Sequence, residues 1–234
     1  MGERQISRRS TRNELEAFVS KARSAGTGAG PQASGRLIFA LDATASREPT
    51  WDRACAIQGQ MFEETSALGG LEIQLCYYRG YDEFRATGWL SRSRDLLALM
   101  RQVSCLGGYT QLGRVLRHTL TETRRQKVDA LVFVGDCMEE DVDRLCNISG
   151  QLGIHGVPAF MFQEGTDRVA ATAFEQIARL SGGAYCHFNA ASAGQLRDLL
   201  GAVAVYASGG RKALADYAHD KATLVRRLSH QIRR

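Results

Sequence analysis

The sequence lacks the features that define fibrous, disordered and membrane-spanning chains. Only 3 of its 234 residues are proline and 44% are apolar, which excludes a collagen-like, mucin-like or intrinsically disordered protein. No apolar run approaches the roughly 18 residues that a transmembrane helix needs, and the polar N-terminus has no apolar segment of a secretory signal. We therefore expect one globular domain in the cytoplasm.

The sequence also lacks cysteine pairs. Its six cysteines contain no Cys-x-x-Cys motif, so they form neither a typical zinc site nor the framework of a small disulfide-rich fold. We expect reduced, mostly buried thiols, as in cytoplasmic proteins. The six are scattered along the chain: Cys55, Cys76, Cys105, Cys137, Cys146 and Cys186.

Common catalytic motifs are absent as well. The chain has no G-x-x-x-x-G-K-[ST] phosphate loop, no H-E-x-x-H, no G-x-S-x-G, and no G-x-G-x-x-G after its first apolar strand. Nucleotide-dependent chemistry therefore has no support in the sequence. We expect a protein that is not an enzyme.

The positive net charge of +5 comes from the two ends of the chain. Residues 1–36 carry 7 Lys or Arg against 3 Asp or Glu, residues 211–234 carry 7 against 2, and the segment between them is mildly acidic. A nucleic-acid-binding protein usually concentrates basic residues on a folded face or among aromatic residues, and this chain does neither. We expect no nucleic-acid partner.

Apolar strands and amphipathic helices alternate through the body of the chain. The run from Leu37 to Leu41 has the length and composition of a strand that is buried on both faces. The alternation predicts an α/β three-layer sandwich with a mostly parallel central sheet, in which residues 83–90 return as one antiparallel edge strand. We divide the chain into an N-terminal helix with a Gly-rich linker (1–35), an α/β domain (36–207) and a basic amphipathic helix (208–234).

Three loops at predicted strand or helix ends carry oxygen ligands. Asp42, Thr44 and Ser46 follow the first strand, Thr110 follows Gly107-Gly108-Tyr109, and Asp136 follows a strongly apolar strand. Ligands of open α/β sheets bind at the carboxyl ends of the strands, so these loops should meet. Carboxylates and hydroxyls suit Mg²⁺, Mn²⁺ or Ca²⁺. We predict a metal site formed by these five residues.

This pattern resembles the von Willebrand factor type A (vWA) family, whose metal-ion-dependent adhesion site (MIDAS) has the pattern Asp-x-Ser-x-Ser, a later Thr after glycines, and a Gly-Asp pair. Here Thr44 replaces the first serine. The resemblance covers about residues 36–206 and identifies the chain as similar to an intracellular, bacterial-type member with a Rossmann-like fold. It implies that Ser46, Thr44 and Thr110 bind the metal directly and that Asp42 and Asp136 act largely through water.

The resemblance also implies a function in protein binding. The metal would bind the Asp or Glu of a protein partner, and intracellular members of the family commonly work in larger assemblies, often with ATPases or chaperone-like machines. Membrane insertion is not expected. The sequence does not identify the partner.

Two interpretations without a functional metal site stay open. Asp42, Thr44 and Thr110 could be helix caps and Asp136 a turn residue, or the site could be degenerate. A metal-independent scaffold would instead use the tyrosine-bearing hairpin or the C-terminal helix.

An enzymatic alternative is a Mg²⁺-dependent phosphohydrolase of the haloacid dehalogenase type, with Asp42 as the nucleophile. That family usually has a second acid two residues later, where this chain has Thr44, and it needs a lysine near the phosphate. Only Lys127 lies in the body of the chain. Cys137 is the one thiol next to the predicted site, and the sequence favours a small half-buried residue there over a redox role.

Overall fold

The computed structural model describes residues 35–49, 71–188 and 201–210. The predicted N-terminal helix and most of the predicted C-terminal helix therefore lie outside the described residues. The same holds for most of a helix that the apolar stripe of residues 49–68 predicts. The predicted division into an N-terminal segment, a central domain and a C-terminal helix stays a prediction.

Six strands form one sheet in the described residues, in the order β3-β2-β1-β4-β5-β6. All neighbouring strands are parallel except the edge pair of β2 and β3, which is antiparallel. The predicted mostly parallel sheet with one antiparallel edge strand is confirmed. The strands are β1 (Gly35–Asp42), β2 (Leu71–Arg79), β3 (Glu83–Ala86), β4 (Ala130–Gly135), β5 (Ala159–Glu164) and β6 (Ala184–Phe188).

Helices cover both faces of this sheet. They are α1 (Ser93–Met100), α2 (Leu112–Arg125), α3 (Val142–Ile154) and α4 (Arg168–Ser181), and residues 201–210 are also helical. Asp141 and Asp167 begin α3 and α4, where each side chain accepts a hydrogen bond from a backbone N–H of the first turn. Across the described ranges, no helix has the length and apolar character needed to cross a membrane.

Strand β1 is the centre of both hydrophobic cores. All eight of its residues are buried, because β2 and β4 flank it in the sheet and helices cover its two faces. Phe39 faces the core that includes Leu96 of α1, whereas Ile38 faces the core that includes Leu116 of α2 and Phe174 of α4. The three-layer architecture predicted from the alternation of strands and helices is confirmed.

Strand β3 is shorter than the segment predicted over 83–90. Its ladder ends at Ala86 because the Thr87 hydroxyl accepts the hydrogen bond of the Leu75 backbone N–H, at 3.1 Å. Pairing resumes at one point, where Ile73 and Leu90 exchange two backbone hydrogen bonds of 2.8 Å. A threonine side chain therefore interrupts the edge strand, and the alternation of residue types does not reveal this.

We predict that Gly108→Ala destabilises the fold. A Cβ atom at residue 108 would lie 1.9 Å from the Gly80 carbonyl oxygen, and a backbone carbonyl has little freedom to move away. Overpacking of this kind costs about 1–3 kcal/mol. Gly88→Ala is the matched control, since nothing lies within 4 Å of a Cβ atom there. Urea unfolding should separate the two variants, and equal stability of both would contradict the packing described here.

Candidate functional site

The loops that carry the predicted site residues meet at the carboxyl end of β1. Backbone hydrogen bonds join them: Ala43 N–H donates to Tyr78 O at 2.9 Å, Leu106 N–H to Ala43 O at 3.0 Å, and Tyr109 N–H to Gly80 O at 3.3 Å. The loop after β1, the turn after β2 and the segment before Thr110 are therefore one connected surface. It lies beside β1 and β4, where the chain order of the sheet reverses and ligands of α/β folds usually bind.

Asp42 is the buried acid of this surface. One carboxylate oxygen, Oδ1, accepts the Thr44 backbone N–H at 2.8 Å, and Oδ2 accepts the Tyr78 hydroxyl at 2.9 Å. The hydroxyls of Thr44 and Ser46 lie 3.1 Å apart. The structure thus brings the first three predicted residues together and holds both oxygens of Asp42 in place.

Asp136 follows β4 and approaches Asp42 from the neighbouring strand. A carboxylate oxygen of Asp42, a carboxylate oxygen of Asp136 and the Cys137 sulfur all lie within 4.8 Å of one another. Gly135 allows this approach, because a Cβ atom there would lie 3.4 Å from the Asp42 Cβ and 2.7 Å from the Phe133 ring. Two acids from separate strands therefore converge on one point.

Thr110 is joined to the same region through Glu139. Its hydroxyl accepts the Glu139 backbone N–H at 3.0 Å, and the Glu139 carboxylate accepts the Thr110 backbone N–H at 3.3 Å. This reciprocal pair ties Thr110 to the loop that carries Asp136. The alternative interpretation of Thr110 as a helix cap is wrong, because Gln111 is the N-cap residue of α2.

The electrostatics of Asp42 show that ionisation is costly without a counter-charge. Burial raises the pKa of Asp42, and the nearby charge of Asp136 raises it further, while the hydrogen bonds from Thr44 and the charge of Arg47 lower it. Burial and the charge of Asp42 also raise the pKa of Tyr78 well above its usual range. Tyr78 therefore stays protonated and donates its hydrogen bond to Asp42.

Arg47 is a fully buried cation close to these acids. Its Nε atom lies 3.3 Å from Oε2 of Glu164, at the carboxyl end of β5, and the Glu164 side chain is only 12% exposed. Arg47 is thus paired with Glu164, and although its charge also lowers the pKa of Asp42, burial and the charge of Asp136 keep that pKa raised. Neither member of this ion pair was among the site residues predicted from the sequence.

The residues present fit a divalent cation. Two carboxylates converge, one of them buried, and the hydroxyls of Thr44 and Ser46 lie beside them, which is the oxygen chemistry that Mg²⁺, Mn²⁺ and Ca²⁺ prefer. A cation there would stabilise the charged form of Asp42. Burial raises the pKa of the adjacent Cys137 thiol to about 12.

Sequence reasoning did not place Tyr78 and Glu139 among the residues that form the site. Tyr78 is the residue of β2 that lies opposite Asp42 in the register of β1 and β2. Glu139 lies in the same loop as Asp136, shortly after it in the chain. The acidic run that begins at Glu139 could have pointed to that residue. No sequence signal indicates which tyrosine of β2 faces Asp42.

The described cysteines are all free thiols. Only Cys76 is buried, and the other four are half-buried: Cys105, Cys137, Cys146 and Cys186. The expectation of mostly buried thiols is therefore wrong for the described part of the chain. Cys105 and Cys137 lie in loops, the sulfur of Cys146 on α3 contacts Gln176 of α4, and Cys186 lies in the edge strand β6.

No protein-family model and no curated protein sequence matches the chain. Solved structures do match. The VWA domain of SpRpn10 aligns with a TM-score of 0.56 at 9% identity, over 66% of this chain and 88% of that one. An aerotolerance-related membrane protein from Bacteroides fragilis aligns with a TM-score of 0.56 at 12% identity, over 71% and 96%.

A third similar structure is proximal thread matrix protein 1 from the mussel byssus, whose MIDAS motif is occupied by zinc. It aligns with a TM-score of 0.56 at 16% identity, over 74% of this chain and 46% of that one. At such low identities these likenesses establish architecture and not activity. The chain has the von Willebrand factor A fold.

Proposed function

We propose that this chain is a protein-interaction module that binds a carboxylate of a partner protein through a divalent cation. Asp42, Thr44, Ser46, Thr110 and Asp136 would hold the cation. The observation that carries the proposal is the convergence of the buried Asp42 with Asp136 at the carboxyl edge of the sheet. A MIDAS motif in one structure of the same fold supports it.

The side chains around the cation position would prepare the site before the cation arrives. Tyr78 and the Thr44 backbone hold Asp42, and Glu139 holds the Thr110 hydroxyl. Three of the five proposed ligands are neutral hydroxyls, which would neutralise little of the positive charge of a bound cation. A bound cation would supply a positive centre with an open position for the partner's Asp or Glu.

The surface beside the site is suited to a protein partner. Tyr81 and Tyr109 are 75% and 61% exposed, and their rings are in edge-to-face contact with centroids 5.4 Å apart. Leu106, on the same loop as Tyr109, is 52% exposed. Exposed aromatic and apolar side chains of this kind mark binding surfaces, and tyrosine is enriched among the residues that dominate binding energy.

A binding role explains the site better than a catalytic one. Both oxygens of Asp42 accept hydrogen bonds from Thr44 and Tyr78, which would reduce its power as a nucleophile toward phosphate. The position two residues later is a hydroxyl instead of the second acid of a haloacid dehalogenase. We therefore retain the assignment as a protein that is not an enzyme.

The exposed surface formed by Tyr81, Tyr109 and Leu106 also favours a second candidate function, a metal-independent scaffold. Its contacts would survive removal of divalent cations, whereas those of the proposed module would not. The cytoplasmic location, a divalent ion such as Mg²⁺, Mn²⁺ or Ca²⁺, and a partner in an ATPase or chaperone-like assembly remain parts of the proposal, and the partner class follows only from the resemblance to the family.

We predict that Asp42→Ala and Thr110→Ala each weaken Mg²⁺ or Mn²⁺ binding by at least about tenfold, because each removes a proposed ligand. Isothermal titration of metal-stripped protein measures the loss. Asp95→Ala is the matched control, since the Asp95 side chain on α1 is 41% exposed and forms a surface ion pair with Arg92. Equal binding by all four proteins would contradict the proposed site.

Stability without metal should respond to the charge of Asp42. Because its pKa is raised in the fold, ionisation of Asp42 weakens the folded state as the pH rises above the ordinary value of 3.8. Metal-free Asp42→Asn should therefore gain stability relative to the unsubstituted protein as the pH rises toward neutrality. Urea unfolding in chelator at several pH values tests this, with Asp95→Asn as the control. A stability difference that does not change with pH would contradict the prediction.

Tyr78→Phe should weaken metal binding about tenfold while leaving the fold intact, because Asp42 loses the hydroxyl that orients it. The neighbouring Tyr77→Phe is the control, since Tyr77 faces the other core. Calorimetry gives the affinities and circular dichroism verifies the fold. The orienting role would be refuted if both variants bound metal with unchanged affinity.

A further inference from the structure

The thiol of Cys137 lies among the proposed metal ligands. Its sulfur is 3.5 Å from Oδ1 of Asp136, forms a hydrogen bond with the Ser46 side chain, and is within 4.8 Å of a carboxylate oxygen of Asp42. Three proposed ligands, from the loops after β1 and β4, thus surround one sulfur atom. No role for this sulfur follows from a site made only of oxygen ligands.

We propose that Cys137 joins Asp42 and Asp136 as a direct ligand of a bound metal and that it makes the site prefer zinc, or another thiophilic divalent metal, over Mg²⁺. The inference rests on the proposed function, since it assumes that Asp42 and Asp136 hold a cation. Thiolate sulfur binds Zn²⁺ strongly, whereas Mg²⁺ favours oxygen ligands only. Replacing this one residue should therefore change the metal preference without removing the site.

One separation at Cys137 matches that of two ligands on a zinc ion, and the third ligand atom lies within 4.8 Å of both. With Zn–O and Zn–S bonds of about 2.0 and 2.3 Å, two ligands on a tetrahedral zinc lie about 3.5 Å apart. The sulfur of Cys137 and Oδ1 of Asp136 have this separation, 3.5 Å. Asp42, Asp136 and Cys137 would give three protein ligands, and zinc sites with three protein ligands keep a fourth position open. That position would take the partner's carboxylate.

The other cysteines in the described part of the chain do not offer the same combination. Within the described ranges, Asp42, Asp136 and Cys137 are the only three acid, histidine or cysteine side chains found close enough together to share an ion. Cys146 donates to Gln176, and Cys76 is buried in the core. Cys105, half-buried in the loop before Gly107, is the best control because it lies near the site without belonging to that group.

Cobalt is a spectroscopic probe for a sulfur ligand. Metal-stripped, reduced protein should bind one Co²⁺ per chain and show a near-ultraviolet sulfur-to-cobalt charge-transfer band. Cys137→Ser and Cys137→Ala should lose this band and still bind Co²⁺, whereas Cys105→Ser should keep it. Circular dichroism and urea unfolding verify that each variant folds, and the alanine variant covers the case in which serine at this position disturbs the loop.

Calorimetry with Zn²⁺ and Mg²⁺ gives the preference itself. Cys137→Ser should bind Zn²⁺ at least about tenfold more weakly and Mg²⁺ with nearly unchanged affinity. Loss of a group that merely orients a metal ligand already lowers metal affinity by about tenfold or more, so loss of a direct ligand should cost at least as much. If the unsubstituted protein binds metal without the charge-transfer band, the inference is overturned and the proposed function stands. If it binds no divalent metal, both fail.

Discussion

The convergence of two acids at the carboxyl ends of β1 and β4 is the constraint on which the site depends. Asp42 is buried, so its charge is costly there, and the nearby charge of Asp136 adds to that cost. Hydrogen bonds from Thr44 and Tyr78 reduce the cost only in part. A divalent cation is the simplest group that would satisfy both acids at once.

The fold creates this convergence at its centre. Strand β1 lies between β2 and β4, so the side chains that follow β1 meet groups from both neighbours. Tyr78 comes from β2, Asp136 follows β4, and Gly135 lets the two strand ends approach closely. The ion pair of Arg47 with Glu164 contributes a balanced buried charge from β5. Although Arg47 also lowers the pKa of Asp42, that pKa stays raised, so a bound cation would stabilise the charged form of Asp42 further.

The features that the sequence predicts are formed by residues close together in the chain. The apolar run of β1 is continuous because both of its faces are covered, so a buried parallel strand could be recognised from composition alone. Asp42, Thr44 and Ser46 lie on one turn, and their grouping follows from spacing. The contribution of Tyr78 depends on the register between β1 and β2, and that of Glu139 depends on a hydrogen bond across 29 residues. Long-range geometry of this kind leaves no periodic signal.

Nuclear magnetic resonance can monitor the binding of Mn²⁺, and this measurement decides whether the proposed site holds a divalent cation. Mn²⁺ is paramagnetic and broadens the signals of nearby amides, so one titration of metal-stripped protein reports both whether the ion binds and where. Binding at the proposed site should saturate at one ion per chain, with broadening centred on the amides of Thr44, Thr110 and Asp136. Broadening centred elsewhere, or no saturable binding, would contradict it.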